Sequence, residues 1–182
     1  LANAFFGYPS RRLLLSGITG TNGKTTTTYL VKSIIEAAGH TAGLIGTIDY
    51  RVGDKVYPAP NTTPESLELQ RLLSEMVGLG ASNCVMEVSS HALALGRIEG
   101  CEFIAAGFTN LSQDHLDFHE SMDAYFQAKL KLFTGLSPDA WAIINSDDAH
   151  GVEIVRKTRA RVITTGFSEL ANVRPVGPIR HG

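Results

Sequence analysis

The chain has 182 residues, a length that suits one α/β domain with a substantial hydrophobic core. Its composition is ordinary for a globular protein, with 43% apolar residues, 19% charged residues and a formal net charge of -2. That charge provides no basic surface for nucleic acid, and no apolar run approaches the roughly 20 residues of a membrane-spanning helix. We therefore expect neither nucleic-acid binding nor membrane insertion.

The two ends of the chain and its cysteines bear on where the protein works. The opening residues, LANAFFGYPSRR, lack the basic start and apolar core of a signal peptide. A disulfide between the only two cysteines, Cys84 and Cys101, is one alternative, but free thiols in a reducing cytosol are favoured. We therefore expect a cytoplasmic protein. Because the chain starts at Leu1 and finishes in ANVRPVGPIRHG, which favours neither helix nor strand, we also expect it to be a piece of a longer protein.

The N-terminal half alternates between strand-like and helix-like segments. Residues 13–18 form an apolar run typical of a buried strand, and residues 24–38 have a helical pattern. Residues 42–52 read as a single strand, with a hairpin turn at VGDK before a further extended run. Pro64 fits the first turn of the next helix. The residues predicted to share one face of the first helix are Tyr29, Leu30, Ile34 and Ala37.

The C-terminal half continues this alternation, which predicts an α/β fold with a mostly parallel sheet covered by helices on both faces. Ligands of such sheets bind at the carboxyl ends of the strands. Four polar clusters, TGTNGKT, EVSSH, TNLSQDH and INSDD, follow apolar runs and so should meet at that edge. Strands are predicted at residues 83–90, 103–110, 141–148 and 161–167, and helices at 121–136, with Ser121 as N-cap, and at 149–160.

The stretch GITGTNGKTTTTYL, residues 17–30, resembles a phosphate-binding P-loop. Its glycines lie between a strand and a helix, where backbone N–H groups can surround phosphate oxygens. Lys24 would reach the β- and γ-phosphates, and the Thr25 hydroxyl would bind Mg²⁺. The match is partial, because the general pattern has a glycine where this chain has Ile18. A turn that only caps the helix would explain the glycines, but not the threonines that follow Lys24.

The helix around Lys129 offers a second indication of chemistry. At about 100° per residue, Lys129 falls inside an apolar stripe, whereas Lys131 points to the opposite side. An inward lysine should have a lowered pKa and can act as a neutral amine. The alternative is that its side chain extends along the stripe to solvent. The stripe consists of Met122, Phe126, Leu130 and Phe133.

Several polar residues have structural explanations as well as functional ones. Glu87 stands between apolar neighbours, so it is either paired or partly exposed, or it binds a metal ion. Arg97 alone reads as a surface cation, and a lone histidine such as His115 is more often structural. A turn by itself accounts for residues 61–63, NTT.

Taken in order from about Leu14 to Asp148, six segments together resemble the Mur ligase family, the ATP-dependent amide-bond-forming enzymes of cell-wall synthesis. Its phosphate loop lacks the earlier glycine, which explains the departure at Ile18. The set is most similar to the UDP-N-acetylmuramoyl-tripeptide synthetase branch. Folylpolyglutamate and cyanophycin synthetases share the loop, and a P-loop regulatory NTPase is an alternative of a different class. The segments are TGTNGKTT, NTTPES, EVSSHALALGR, FTNLSQDHLDFH, AYFQAKLKLF and INSDD.

The resemblance assigns roles to particular residues. It implies one Mg²⁺ held by Thr25 and Glu87, and a second held by His115 and by a carbamate that CO₂ forms on Lys129. Lys24, Lys129 and His115 would be the catalytic residues. Residues implied to bind ATP are Gly20, Thr21, Asn22, Gly23, Lys24, Thr25 and Thr26, with Asn145 on the adenine; those implied to bind the acceptor are Asn61, Thr62, Thr63, Ser89 and Arg97.

The implied reaction joins a carboxylate to an amine. The acceptor, UDP-N-acetylmuramoyl-L-alanyl-D-glutamate, would be activated by ATP as an acyl phosphate and then attacked by a diamino acid. Residues 1–182 would be an incomplete central domain, without the N-terminal uridine-nucleotide domain and the C-terminal amino-acid-binding domain of the family. We therefore expect the isolated chain to be inactive. The sequence does not choose between meso-diaminopimelate and L-lysine, and it does not indicate an oligomeric state.

Overall fold

A computed structural model describes residues 1–177 as one eight-stranded mixed sheet with helices packed against it. The strands are β1 (Leu14–Thr19), β2 (Ala42–Ile45), β3 (Asp49–Val52), β4 (Lys55–Pro58), β5 (Asn83–Glu87), β6 (Ala105–Phe108), β7 (Trp141–Asn145) and β8 (Arg161–Thr165). The α-helices are α1 (Ala2–Phe5), α2 (Lys24–Ala37), α3 (Ser66–Gly78), α4 (Ser90–Ala94), α5 (Leu116–His119), α6 (Met122–Thr134) and α7 (Ala149–Lys157), and a 3-10 helix spans Pro9–Arg12.

The strand order is β4-β3-β2-β5-β1-β6-β7-β8, and the predicted parallel sheet is confirmed for six of these strands. β2, β5, β1, β6, β7 and β8 pair in parallel, while β3 and β4 extend the sheet by antiparallel pairing. In the register of the central pair, Ile18 lies beside Glu87. The carboxyl end of β1, where the glycine-rich loop begins, is therefore next to the carboxyl end of β5.

The two faces of the sheet are covered unequally. One hydrophobic cluster joins the sheet to α3, α6 and α7, and its fully buried members include Leu73 and Phe133. α2 lies against β1, β2 and β5, and its own Thr28 is buried. Beside α2, a groove of about 460 Å³ runs over β1, β6 and β7. The face of α2 that carries Leu30 and Ile34 points to solvent, since these side chains are 59% and 68% exposed.

Two predicted elements differ from the structure. The single strand expected at residues 42–52 is divided into β2 and the antiparallel β3, because the chain reverses at Gly46–Ile48. Pro64 precedes the N-cap of α3, Glu65, instead of lying inside the first helical turn. The helix expected at 121–136 is confirmed as α6, and the hydroxyl of Ser121 accepts a hydrogen bond from the backbone N–H of Ala124.

Both cysteines are free thiols, and burial raises the pKa of Cys84 and of Cys101. Among residues 1–177, none of the helices combines the length and apolar character that crossing a bilayer would require. The final residues of the predicted irregular tail, 178–182, lie outside the described part of the chain.

Candidate active site

A cavity of about 510 Å³ opens at the carboxyl edge of the parallel strands, and residues of three of the four polar clusters line it. It brings together thirteen of the residues singled out from the sequence, from segments far apart along the chain. These are Thr21, Asn22, Gly23, Lys24, Thr25, Thr26, Asn61, Thr62, Glu87, Ser89, Arg97, His115 and Lys129.

Three other predicted residues lie away from the cavity lining. Gly20 forms the loop behind it, where its carbonyl oxygen accepts lysine hydrogen bonds. Thr63 is fully buried, and its hydroxyl donates to the Glu87 carbonyl at 2.8 Å and accepts from the Ser89 N–H at 3.0 Å. Asn145 lines the groove beside α2, and its side-chain amide donates to the Thr109 carbonyl at 2.7 Å.

The glycine-rich loop depends on backbone conformations that favour glycine. Gly20 has a φ of 147° and Gly23, the N-cap of α2, has a φ of 84°. A Cβ on Gly20 would overlap the hydroxyl of Thr109. These conformations leave the N-terminus of the 14-residue α2 facing the cavity, where its partial positive charge favours an anion.

A second loop, at the end of β6, clamps the first. The Asn110 side chain accepts from the Asn22 N–H at 3.0 Å and donates to the Asn22 carbonyl at 3.1 Å. Thr109 donates to the same carbonyl at 2.7 Å, and the Asn110 carbonyl accepts from the Thr21 N–H at 2.9 Å. The phosphate loop is thus held by hydrogen bonds to residues almost 90 positions away in sequence.

Two lysines converge on one carbonyl oxygen. The ammonium of Lys24 donates to the carbonyls of Gly20 and Thr21 at 3.1 and 2.8 Å, and Lys129 donates to the Gly20 carbonyl at 2.9 Å. Burial lowers the pKa of Lys24, although the carboxylates of Glu87 and Asp114 act in the opposite direction. Lysine ammonium groups this close favour binding of an anion between them.

Lys129 is buried as the periodicity of α6 predicted. Its side chain is 1% exposed, whereas Lys131 is exposed. Burial, reinforced by the positive charge of Lys24, lowers the pKa of Lys129 to about 7. The amine of Lys129 lies 4.4 Å from the centre of the Tyr125 ring. Near neutral pH a large fraction of this amine is therefore uncharged and can act as a nucleophile.

The carboxylate of Glu87 is fully buried at the end of β5. It accepts hydrogen bonds from the backbone N–H and the hydroxyl of Thr47, at 2.9 and 3.0 Å. Because these donors leave further lone pairs on both oxygens, the carboxylate can also bind a hard cation. Thr25 and Lys24 line the same cavity.

Arg97 is directed toward the loop that contains Asn61 and Thr62. Its guanidinium donates to the Thr63 carbonyl at 3.1 Å and pairs with the carboxylate of Glu65. Within residues 1–177 the buried Nε of Arg97 has no hydrogen-bond partner. A carboxylate ligand fits this side chain, because guanidinium and carboxylate groups can form two parallel hydrogen bonds.

Histidines and aromatic rings form the wall around Lys129. The rings of His91 and His115 are 4.9 Å apart, and those of His119 and Tyr125 are 5.1 Å apart. Nε2 of His115 lies 3.3 Å from a carboxylate oxygen of Asp114. Burial lowers the pKa of His91 and of His119, which favours neutral imidazoles on this wall.

The donor set suits a hard cation in company with an anionic ligand. In the described part of the chain, three or more His, Cys, Asp or Glu side chains do not cluster in a way that could hold a metal ion alone. The oxygens of Glu87 and Thr25 are ligands that Mg²⁺ accepts, and Mg²⁺ commonly completes its coordination with water and substrate phosphates. The site therefore fits Mg²⁺ bound together with a nucleotide.

Sequence reasoning missed several residues of this site. Thr47, Ser90, His91 and Tyr125 line the cavity, and Asn110 holds the phosphate loop. Ser90, His91 and Asn110 stand within the polar clusters that follow the apolar runs, so their place in the chain is a signal. Thr47 carries none, because the sequence predicts a continuous strand where the chain reverses to bring Thr47 to Glu87.

A glycine-rich loop that leads into a helix N-terminus at the carboxyl edge of a parallel sheet is the architecture of P-loop nucleotide-binding domains. Within that class, the model of the Mur ligase middle domain matches residues 18–177, and the chain belongs to the Mur ligase family.

The relatives of this chain include ligases of known name. It is 49% identical over 179 residues to the UDP-N-acetylmuramoyl-L-alanyl-D-glutamate--2,6-diaminopimelate ligase of Geobacter metallireducens. Identity to the ligase of the same name from Bacillus cereus is 48% over 179 residues. Each alignment covers 95% of this chain, but only 35% and 36% of the two relatives. The chain therefore spans about a third of the length of the curated relatives it matches.

Solved structures agree with this assignment. A structure of UDP-N-acetylmuramoyl-L-alanyl-D-glutamate--2,6-diaminopimelate ligase aligns with a TM-score of 0.81 and 30% identity, over 93% of this chain and 37% of that chain. Folylpolyglutamate synthase from Mycobacterium tuberculosis aligns with a TM-score of 0.64 and 18% identity, over 90% of this chain and 45% of its own. The second likeness shows a common fold.

The lowered pKa of Lys129 predicts a pH-dependent stability. Between the folded-state pKa of about 7 and the ordinary value of 10.5, the unfolded chain binds more protons, so the free energy of unfolding should rise with pH. The contribution is up to about 1.4 kcal/mol per pH unit. Urea unfolding in CO₂-free buffers from pH 7 to 8.5, below the ordinary pKa of the two buried cysteines, should show a steeper rise in the wild type and in Lys131→Met than in Lys129→Met. Parallel curves for all three proteins would contradict the prediction.

Proposed function

We propose that this chain is the nucleotide-binding middle domain of an ATP-dependent carboxylate–amine ligase of peptidoglycan synthesis. The whole protein would add a diamino acid, 2,6-diaminopimelate by analogy with the relatives, to UDP-N-acetylmuramoyl-L-alanyl-D-glutamate. The observation that carries the proposal is the single cavity that unites the phosphate loop with Glu87, Arg97 and Lys129. A phosphate loop, a metal ligand and an arginine in one cavity suit the binding of two anionic reactants.

The phosphate loop would hold ATP. The N–H groups at the start of α2 and the ammonium of Lys24 would contact the phosphate oxygens, once Lys24 exchanges its bonds to the loop carbonyls for bonds to phosphate. The residues proposed to surround the nucleotide extend from Gly20 to Thr26. Asn145 is proposed to contact the adenine, since the second hydrogen of its amide remains available beside the bond to Thr109.

Mg²⁺ would be held by the Thr25 hydroxyl and the Glu87 carboxylate, and a second Mg²⁺ by His115 and the modified Lys129. When bound, these ions would neutralise charge between the γ-phosphate and the acceptor carboxylate. The chain's own contribution is to fix its oxygen and imidazole ligands on different segments, with Thr25 after β1, Glu87 at the end of β5 and His115 after β6.

A carbamate on Lys129 is the second part of the proposal. The neutral amine would attack CO₂, forming an N–C bond and losing one proton, which leaves a carbamate anion. The lowered pKa supports this step, because only the unprotonated amine is nucleophilic. The product would replace the buried amine with an anionic oxygen ligand for the ion that His115 is proposed to hold.

The acceptor would lie on the side of the cavity formed by Asn61, Thr62 and Ser89, with Arg97 on one of its carboxylates. Thr63 supports that wall through its buried hydrogen bonds to Glu87 and Ser89. The acceptor's reacting carboxylate would attack the γ-phosphoryl group to form an acyl phosphate. The amine of the diamino acid would then displace phosphate, giving an amide, ADP and phosphate.

The remainder of the ligase would carry other tasks. Because the chain spans about a third of its relatives, we propose that further domains bind the uridine nucleotide and the incoming amino acid. The isolated middle domain would then not catalyse the ligase reaction. We also propose that the whole protein works in the cytoplasm. A P-loop regulatory NTPase, the alternative class, would instead release phosphate without an acceptor.

Calorimetric titration of the chain with Mg·ATP, in buffer that contains bicarbonate, tests the phosphate loop. We expect saturable binding by the wild type and at least tenfold weaker binding by Lys24→Ala, given about 1.5–3 kcal/mol for a hydrogen bond to a charged group. Lys32→Ala removes a lysine further along α2, where it pairs with Glu36, and should bind normally. Folded wild-type chain that binds no nucleotide would contradict the proposal that this domain alone holds ATP.

Carbamylation can be detected separately. After incubation with ¹³C-bicarbonate at pH 8, the wild type and Lys131→Met should each show a carbamate carbon resonance by NMR, and Lys129→Met should show none. The expectation follows from the lowered pKa of the buried amine. A resonance that persists in Lys129→Met would assign the modification to another lysine.

The reaction itself is measured in the longer protein that contains this chain. Phosphate release should require UDP-N-acetylmuramoyl-dipeptide and 2,6-diaminopimelate together, and Arg97→Lys should raise the KM for the acceptor because a bidentate contact is lost. Release of phosphate without acceptor would favour the regulatory NTPase. Turnover by the purified 182-residue chain would overturn the proposal that the isolated domain is inactive.

A further inference from the structure

Thr47 is placed to fix the orientation of the buried Glu87 carboxylate. It lies in the reversal between β2 and β3, 40 positions from Glu87 in sequence. Its backbone N–H donates to Oε1 at 2.9 Å and its hydroxyl donates to Oε2 at 3.0 Å. One residue therefore satisfies both oxygens of a carboxylate that has no exposure to solvent. The two bonds restrict rotation of the carboxylate about its last side-chain torsion.

Gly46, the residue before Thr47, explains how the backbone comes so close to the carboxylate of Glu87. A Cβ built on Gly46 would lie 2.6 Å from Oε1 of Glu87, well inside ordinary contact distance. Glycine is therefore the residue that lets the turn pass over the carboxylate. An alanine at this position would push the carboxylate away from its hydrogen bonds with Thr47, because its Cβ and Oε1 cannot both occupy this space.

The hydroxyl of Thr47 also connects two parts of the cavity. Its oxygen lies 3.1 Å from the hydroxyl oxygen of Thr62. Because Thr47 uses its single hydroxyl proton on Glu87, Thr62 must be the donor in this contact. A directed chain of hydrogen bonds thus runs from Thr62 through Thr47 to Glu87, from the proposed acceptor wall to the proposed metal ligand.

We propose that Thr47 is a positioning residue for the ligase reaction, which holds Glu87 in the orientation that binds Mg²⁺ at the nucleotide phosphates. The inference rests on the proposed function, since it takes Glu87 as a ligand of the nucleotide-bound ion. Thr47 itself lines the cavity, but its effect is exerted through the carboxylate. Loss of its hydroxyl should lower the affinity for Mg²⁺ more than it lowers the affinity for ATP.

The test measures how ATP binding to the chain depends on Mg²⁺ concentration, by calorimetry. For Thr47→Val, we expect the half-saturating Mg²⁺ concentration to rise at least about tenfold, the effect of losing one hydrogen bond to a charged group. ATP affinity at saturating Mg²⁺ should stay within about twofold of wild type. Thr47→Ser keeps the hydroxyl and should behave like wild type, whereas Gly46→Ala should reproduce the Thr47→Val shift.

Two further variants separate the possible outcomes. Thr41→Val makes the same substitution at an exposed position before the other end of β2 and should leave the Mg²⁺ dependence unchanged. Lys24→Ala should lower ATP affinity at every Mg²⁺ concentration. Normal binding by wild type with no shift in Thr47→Val, or a shift that Thr47→Ser shares, would overturn the role of Thr47 alone. Absence of Mg²⁺-dependent binding in folded wild type would overturn both this role and the proposed function.

Discussion

The carbonyl oxygen of Gly20 is the point on which the site depends, because it accepts hydrogen bonds from both Lys24 and Lys129. The two ammonium groups come from distant parts of the sequence and are brought close together beneath the phosphate loop. Their mutual repulsion and their burial are offset only in part by carbonyl oxygens and by the carboxylates of Glu87 and Asp114. The arrangement favours an anionic ligand, and it favours the neutral form of the more buried lysine.

The hydrogen bonds from both lysines to the Gly20 carbonyl link the conformation of the phosphate loop to the binding of phosphate. Gly20 adopts a positive φ, and its carbonyl is turned toward the lysines while Thr109 occupies the space where a side chain would lie. Asn110 holds the next turn of the loop by both ends of its side-chain amide. A phosphate-binding surface made of backbone groups is useful only when the backbone is fixed, and here residues at the end of β6 fix it.

On the opposite wall, threonines and serines organise a buried carboxylate and the neighbouring arginine. Thr63 joins the backbone of Glu87 to that of Ser89, and its carbonyl accepts from Arg97. Thr47 reaches the carboxylate itself. Short hydroxyl side chains serve this purpose well, since they donate and accept within a small space. The cavity consequently has a cationic floor and a hydroxyl-rich wall, which suits phosphate on one side and a carboxylate-bearing acceptor on the other.

The sequence by itself determined the alternation of strands and helices, the phosphate loop, the meeting of polar clusters at one edge and the inward side of α6 that carries Lys129. These features follow from local periodicity and from the geometry of parallel sheets, which act over a few residues. Only the tertiary structure decided that β2 and β3 are separate strands, that Asn110 clamps Asn22 and that Thr47 holds Glu87. It also left a groove over β1, β6 and β7 beside α2, with Leu30 and Ile34 of α2 exposed. Such contacts join residues tens of positions apart, and neither hydrophobic period nor turn propensity encodes which distant partner a side chain will meet.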